Sequence, residues 1–336
     1  MNKSKWFYMK GVLITIFAIA ILAGCNTQAS TIQEKIEVNF GADTAAGGSL
    51  QFRVAKEEGI FEEYGIHAEI SNFAYGIDTL NALLVERTHT GTAADYALLN
   101  SLGKGDMKII SALTRANEER SKDTQLLVVG DINTVEDLVG KKLGVARGTV
   151  YEYVWEKYLE QNNIDKSSIN YVPYMTPDEA IVGMQKGDID AIWIGGALTD
   201  KVKDVAGGKE IANLNDTGVS INSYLVADTS FIEEHPETIV QILKALEKGV
   251  QYVEENHEET AELAFKELKL PKEDVLKDLE RTNYALGFTE EDYKHLTEMK
   301  NWLVEHDLLT EDYELNEKIY IEGAKEAFPS LVDYEE

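Results

Sequence analysis

Three short runs of small residues hold the most suggestive polar chemistry in this chain: Gly47-Gly48-Ser49, Gly91-Thr92-Ala93 and Gly148-Thr149. The hydrophobic pattern around each places a strand before it and a helix after it. A helix start presents unpaired N–H groups and a partial positive charge. Glycine lets a ligand come close to the backbone, and Ser or Thr adds a hydroxyl. Ordinary N-capping accounts for any one junction alone. Three of them at the carboxyl ends of parallel strands point to the edge where open α/β sheets bind ligands. Such an edge can hold a small anionic or strongly polar group without a lysine. The candidate binding residues are Gly48, Ser49, Thr92, Gly148 and Thr149, with Asp43, Asp95 and Asn222 beside them. Tyr75, Tyr151, Tyr174 and Trp193 lie at comparable strand ends, where an aromatic ring either packs into the core or walls a cleft.

Patterns that would carry catalysis are weak by comparison. The six histidines, His67, His89, His235, His257, His295 and His306, have no partner at metal-ligand spacing. His257-Glu258-Glu259-Thr260-Ala261 begins like a zinc-protease HExxH helix but lacks the second histidine. There is no G-x-S-x-G elbow, no G-x-x-x-x-G-K-[ST] loop and no G-x-G-x-x-G turn. Asp188 and Asp190 would share one face of a strand. The apolar run that follows, Ala191-Ile192-Trp193-Ile194, gives that pair a structural role. No catalytic residue, metal or cofactor is expected.

The elements that position these residues alternate. Strands are expected at 36–40, 68–73, 88–92 and 108–113, with helices at 49–58, 77–85 and 95–102 between them. The order restarts with strands at 125–129, 142–146, 168–174 and 189–194. Helices at 135–139, 150–161, 177–185 and 198–205 separate or follow them. Strands at 210–214 and 223–226 come next, and from 231 onward the pattern is helical and acidic. This βαβα order implies parallel sheets flanked by helices. Two polar stretches, 115–124 and 215–222, are candidate crossings between two lobes and are too short to be flexible linkers. The expected division is lobe 1 from 36–120 plus 223–336, and lobe 2 from 121–222.

The N-terminus points to export. Lys3, Lys5 and Lys10 precede an apolar run at 11–23, shorter than the roughly 20 residues that span a bilayer. It ends in Leu22-Ala23-Gly24-Cys25, which looks like a bacterial lipobox, with Cys25 as the acceptor of a diacylglyceryl group. Residues 1–24 thus read as a lipoprotein signal peptide and 25–35 as a polar, lipidated tether. Cys25 is the only cysteine, so the mature chain has no disulfide framework. The formal net charge is −28, and removing the three signal lysines takes it to about −31. A chain this acidic repels nucleic acid. The expected place is the extracytoplasmic face of the cell membrane, lipid-anchored and monomeric.

A family resemblance sharpens this reading. VAKEEGIFEEYGI (54–66) resembles a segment of the binding proteins for nitrate, sulfonates, taurine and thiamine-precursor pyrimidines. VEDLVGKKLGV (135–145), followed by Gly148-Thr149, then PDEA (177–180), GDIDAIW (187–193) and HPE (235–237) resemble further segments of the same family, in the same order. The resemblance covers about 36–265. It implies an α/β, two-lobed type II periplasmic-binding-protein fold with a helical C-terminal tail. That fold closes on a small-molecule ligand and hands it to an ABC permease and its ATPase. The loops at 42–48 and 92–95 depart from the family's usual junctions, and Asp43 there can pair with a ligand amine or cap the turn. The implied ligand is a small organic anion or a taurine-like zwitterion; an aminopyrimidine ring bridged by Asp43 is the alternative. A sensory or scaffolding lipoprotein is the alternative class. The family's pyrimidine synthases carry a cysteine-rich motif that is absent here.

Overall fold

The computed structural model describes residues 35–44, 49–196, 198–309 and 311–335. The signal segment, Cys25 and Gly48 lie outside the described residues. In chain order the described strands are β1 (Ile36–Asp43), β2 (Ile66–Phe73), β3 (Thr90–Ala94), β4 (Met107–Thr114) and β5 (Gln125–Val128). β6 (Lys142–Val145), β7 (Asn170–Pro173), β8 (Ala191–Ile194), β9 (Lys209–Asn213) and β10 (Ser223–Asp228) follow. They build two five-stranded sheets, ordered β2-β1-β3-β10-β4 and β7-β6-β8-β5-β9.

Both sheets are mixed, which corrects the expectation of parallel sheets. β1 runs parallel to β2 and β3, but β10 is antiparallel to both β3 and β4. In the second sheet β6 is parallel to β7 and β8, while β5 is antiparallel to β8 and β9. The chain leaves the first sheet after β4 and returns as β10, which inserts between β3 and β4. Alternating apolar runs reveal that a strand exists; they carry no information about its direction once the chain has visited another sheet.

Local signals explain most helix boundaries. The helix Pro177–Lys186 has Thr176 at its N-cap, proline in its first turn and Gly187 in the left-handed region at its C-cap, the full set of start and stop signals. The helix Pro236–Glu255 buries Ile239, Ile242, Leu243 and Leu246, the spacing of one apolar face. A Cβ at Gly249 would stand 2.6 Å from the Gln51 carbonyl oxygen. Only glycine lets this helix approach the helix Leu50–Glu57 so closely. The expected helix at 135–139 is a single 3-10 turn, Glu136–Leu138.

Each sheet has an aromatic centre. In the first, Phe40 of β1 stacks on Phe61 at 4.8 Å and meets Phe52 at 5.5 Å. In the second, Trp193 of β8 meets Trp155 and Tyr158 edge-on at 6.0 and 5.3 Å. The Trp155 indole donates to the Gly144 carbonyl. Among the described residues no helix is long and apolar enough to cross a membrane.

Candidate functional site

A cleft of about 1060 Å³ of atom-free space, partly open to solvent, is lined by residues of both sheets and of both passages between them. Its position follows from the topology. The chain crosses from β4 to β5 through 115–124 and back from β9 to β10 through 214–222. The strand ends around those crossings face one space. From the first sheet come Asp43 at the end of β1, Thr92 in β3, Thr114 in β4 and Ser223 in β10. From the second come Thr149, Val150 and Tyr151 after β6, and Gly195 and Gly196 after β8. The first crossing adds Arg120, Asp123 and Thr124, and the helix Lys272–Arg281 adds Asp278.

Asp43 and Thr92 form the best-defined polar pair. Asp43 is 7% exposed and Thr92 2%. The Thr92 hydroxyl donates to the Asp43 carboxylate at 3.1 Å and accepts from the Asp43 backbone N–H at 3.3 Å. Across the cleft, Thr149 caps the helix Val150–Gln161: its hydroxyl accepts from the Tyr151 N–H and donates to the Ala146 carbonyl. The Gly148 N–H, with Gly148 in the left-handed region, donates to the Glu152 carboxylate at 2.9 Å. This helix start is therefore already supplied with an anion from its own first turn.

Two guanidinium–carboxylate pairs stand at the crossing. Arg120 donates to Asp278 at 3.2 Å and to Thr282, and Arg281 pairs with Asp123. Burial raises the Asp123 pKa, and Arg281 opposes that shift. Tyr151 is pushed up to about 12, chiefly by burial; Arg120 pulls it down, while Asp43 and Asp278 push it up. These charges thus converge on one phenol. Burial raises the pKa values of Tyr75, beside the first sheet, and of Tyr174, after β7. The helix Asp95–Leu102, after β3, also meets the helix Val150–Gln161, after β6, where the Tyr96 hydroxyl donates to Glu152 at 3.3 Å.

Of the residues expected from sequence, Asp43, Tyr75, Thr92, Thr149 and Tyr151 line this cleft. The other described ones are not among its lining residues. Trp193 is fully buried between Trp155 and Tyr158, because β8 is an interior strand covered on both faces. Asp95 is fully buried and accepts from the N–H groups of Tyr96 and Asn222 and from His295. Asn222 spends its side-chain oxygen on the Ala116 N–H. Ser49 stands at the N-cap of Leu50–Glu57 without a side-chain cap bond, and it does not line the cleft. Gly148 sits at the edge, where a Cβ would be 3.4 Å from Ile77. Thr92 reaches the cleft from inside β3, not from a helix start as its junction suggested.

Sequence reading missed Arg120, Asp123 and Asp278. The charge in the 115–124 crossing was a usable signal for the first two. Asp278 had none, because its helix is more than 150 residues away in sequence and looks like any acidic amphipathic helix. Among the described residues no group of three or more His, Cys, Asp or Glu could hold a metal ion.

Comparison with known proteins places this architecture. A family model described as NMT1/THI5 like matches residues 49–260. A putative aliphatic sulfonates-binding protein of Bacillus subtilis (strain 168) is 27% identical over 292 residues, 83% of this chain and 85% of that protein. The alkanesulfonate-binding protein from Xanthomonas axonopodis pv. citri, solved bound to MOPS, superposes with a TM-score of 0.75 at 16% identity. That match covers 86% of this chain and 99% of the other. The periplasmic aliphatic sulphonate binding protein from Escherichia coli gives a TM-score of 0.72 at 19% identity, over 85% and 97% of the two chains. A desulfurization enzyme shares the fold at a TM-score of 0.62 and 13% identity, over 88% of this chain and 99% of that one. The fold alone therefore does not separate binding from catalysis. The fold is the α/β, two-lobed type II periplasmic-binding-protein fold with helices at its C-terminus.

Proposed function

We propose, from the premise that this chain belongs to the NMT1/THI5-like family, that it is the extracytoplasmic solute-binding lipoprotein of an ABC importer. In this reading it binds a small polar organic solute between two lobes, catalyses nothing, and delivers the solute to a membrane permease driven by an ATPase. The observation that carries the reading is the cleft itself, lined from both sheets and both passages. A site built this way can bury a solute by a small rotation about two short connections. The lobes are residues 36–120 with 223–336, and 121–222. The chain acts as a monomer on the outer face of the cell membrane, held through lipid on Cys25.

Sulfonate-binding relatives make a sulfonate or taurine-like solute the first ligand reading. Tyr75 and Tyr151 beside Asp43 favour a second, an aminopyrimidine-like ring held by stacking and by the carboxylate. Native mass spectrometry of the full chain extracted from membranes tests the whole reading. The expected spectrum shows a diacylglyceryl adduct that Cys25→Ser abolishes, and a noncovalent solute released on denaturation. Protein that never carries a solute, from any growth medium, would defeat the binding role. An unchanged mass in Cys25→Ser would defeat the anchor.

A further inference from the structure

The two sheets and their helices meet around the cleft in two different ways. At one junction the contact adjoins the chain's own connections. Tyr96, in the helix Asp95–Leu102, stacks on Tyr153 of the helix Val150–Gln161 at 5.9 Å, and Trp302 meets Tyr153 edge-on at 4.8 Å. Asp95, next to Tyr96, accepts from the N–H of Asn222 at the end of the second passage. A rotation about the passages moves this junction little, because it sits against one of them.

At the other junction side chains alone make the contact. Tyr75 stands just before the helix Gly76–Leu84 and is 6% exposed. It is buried in an apolar cluster whose other buried members all come from the second sheet and its helices, among them Ala146, Tyr174, Ile181 and Ile194. Ala74 and Ile77 pack against the same cluster, and a Cβ at Gly148 would stand 3.4 Å from Ile77. Burial raises the Tyr75 pKa most, and the phenols of Tyr174 and Tyr151 add to the rise, which places the three rings together.

The base of Tyr75 is fixed to the first sheet. A Cβ at Gly76 would stand 2.7 Å from the Ala93 Cα of β3, so only glycine lets the segment lie this close. The Thr79 hydroxyl donates to the carbonyls of Gly76 and Thr92. Tyr75 therefore moves with the first sheet, while its ring lies in the core of the second and also lines the cleft. Any motion that parts the sheets at this flank has to draw the ring out of that core.

We propose that Tyr75 is a clasp that holds the cleft drawn in when it is empty and withdraws from the second sheet's core to widen it for a solute. This deepens the solute-binding reading and rests on it. Widening the cleft exposes a buried aromatic ring. The measured affinity for a solute is then the intrinsic affinity scaled by the widened fraction. Tyr75 acts here through the position of the sheets and not through contact with the solute.

Spin labels carried on a keto-bearing amino acid at Val85 and at Val182 test this in the full chain and leave Cys25 untouched. Both positions are exposed; Val85 ends the helix that Tyr75 precedes, and Val182 lies on the helix Pro177–Lys186 of the receiving side. Label-to-label distances are measured after bound solute has been dialysed away. Wild type is expected to show one short distance. Tyr75→Ala should raise the ratio of long to short distances at least about tenfold, as loss of a buried aromatic side chain implies. Tyr75→Phe should keep the short distance, because the ring does the docking. Tyr174→Ala, on the receiving side, should act like Tyr75→Ala and serves where that variant folds poorly. Ile242→Ala, fully buried in a cluster of the first sheet and its helices, should lower the melting temperature and leave the distance alone. Wild-type distances in folded Tyr75→Ala and Tyr174→Ala would overturn the clasp, and so would an equal lengthening in Ile242→Ala. Neither result touches the solute-binding reading, which stands or falls on the co-purified solute.

Discussion

The two passages between the sheets are fastened by different means. The first, residues 115–124, is held by ion pairs to helices far along the chain. Arg115 makes a two-pronged contact with Asp292 at 2.8 and 2.6 Å, 177 positions away. Arg120 and Asp123 pair with Asp278 and Arg281 of the helix Lys272–Arg281, and Asn117 donates to the Arg281 carbonyl. The second, residues 214–222, is held by hydrogen bonds to the backbone. Asn213 and Asp216 form a capping box at its start. Gln161 reaches the Thr217 carbonyl, and at its end Asp95 binds the Asn222 N–H while Asn222 binds the Ala116 N–H. The first passage thus takes its geometry from the C-terminal helices, and the second from its own turn and from the first. Asp292 and His295, one helical turn apart on the helix Glu290–Glu305, serve one passage each, the latter through Asp95.

This contrast can be broken most severely at Asp292. Its carboxylate is 1% exposed and also completes the capping box with Thr289. Asp292→Ala leaves the Arg115 guanidinium without its partner and is expected to cost about 3 kcal/mol, the lower end for breaking a buried pair. Urea denaturation measures this, and a loss under 1 kcal/mol would mean the first passage does not depend on the pair. A smaller effect is expected in the second passage. Asn222→Ala removes the acceptor of the Ala116 N–H and should cost roughly 1–2 kcal/mol. An effect equal to that of Asp292→Ala would erase the distinction between charged and neutral fastening.

The smallest effect depends on pH. Burial disfavours the charged form of His295, but its hydrogen bond to Asp95 and the charges of Asp95, Asp292 and Glu298 outweigh this, so its pKa lies above the ordinary histidine value. A histidine with a raised native pKa binds its proton more tightly when folded. Its stabilising increment is complete below the unfolded value of about 6.5 and fades as pH rises through the native value. The stability gap between wild type and His295→Gln should therefore be widest near pH 5–6 and narrow above neutrality. Denaturation midpoints taken across that range check the sign, and a gap that widened toward alkaline pH would contradict it.

Some of this was legible in the chain and some was not, for identifiable reasons. Thr149 was readable as a helix start because a cap is a local contract between a hydroxyl and an N–H two positions on. Asp43 and Thr92 were readable as strand-end residues, yet their contact, 49 positions apart, exists because β1 and β3 are neighbours. Trp193 was open to either core or cleft wall and is core, because β8 is a central strand buried along its whole length.

What the sequence determined by itself is local and periodic: where strands and helices begin, the family segments in their order, the acidity of the surface, and the lipobox-like ending at Cys25. Tertiary structure alone decided which strands run antiparallel, which aromatics face the cleft, and that the guanidiniums at the crossing are answered by Asp278 and Asp123. The physical reason is range. Caps and periodic faces are settled within one or two helical turns. The charge balance of a cleft is summed over side chains that meet only after the chain has crossed between its sheets and come back.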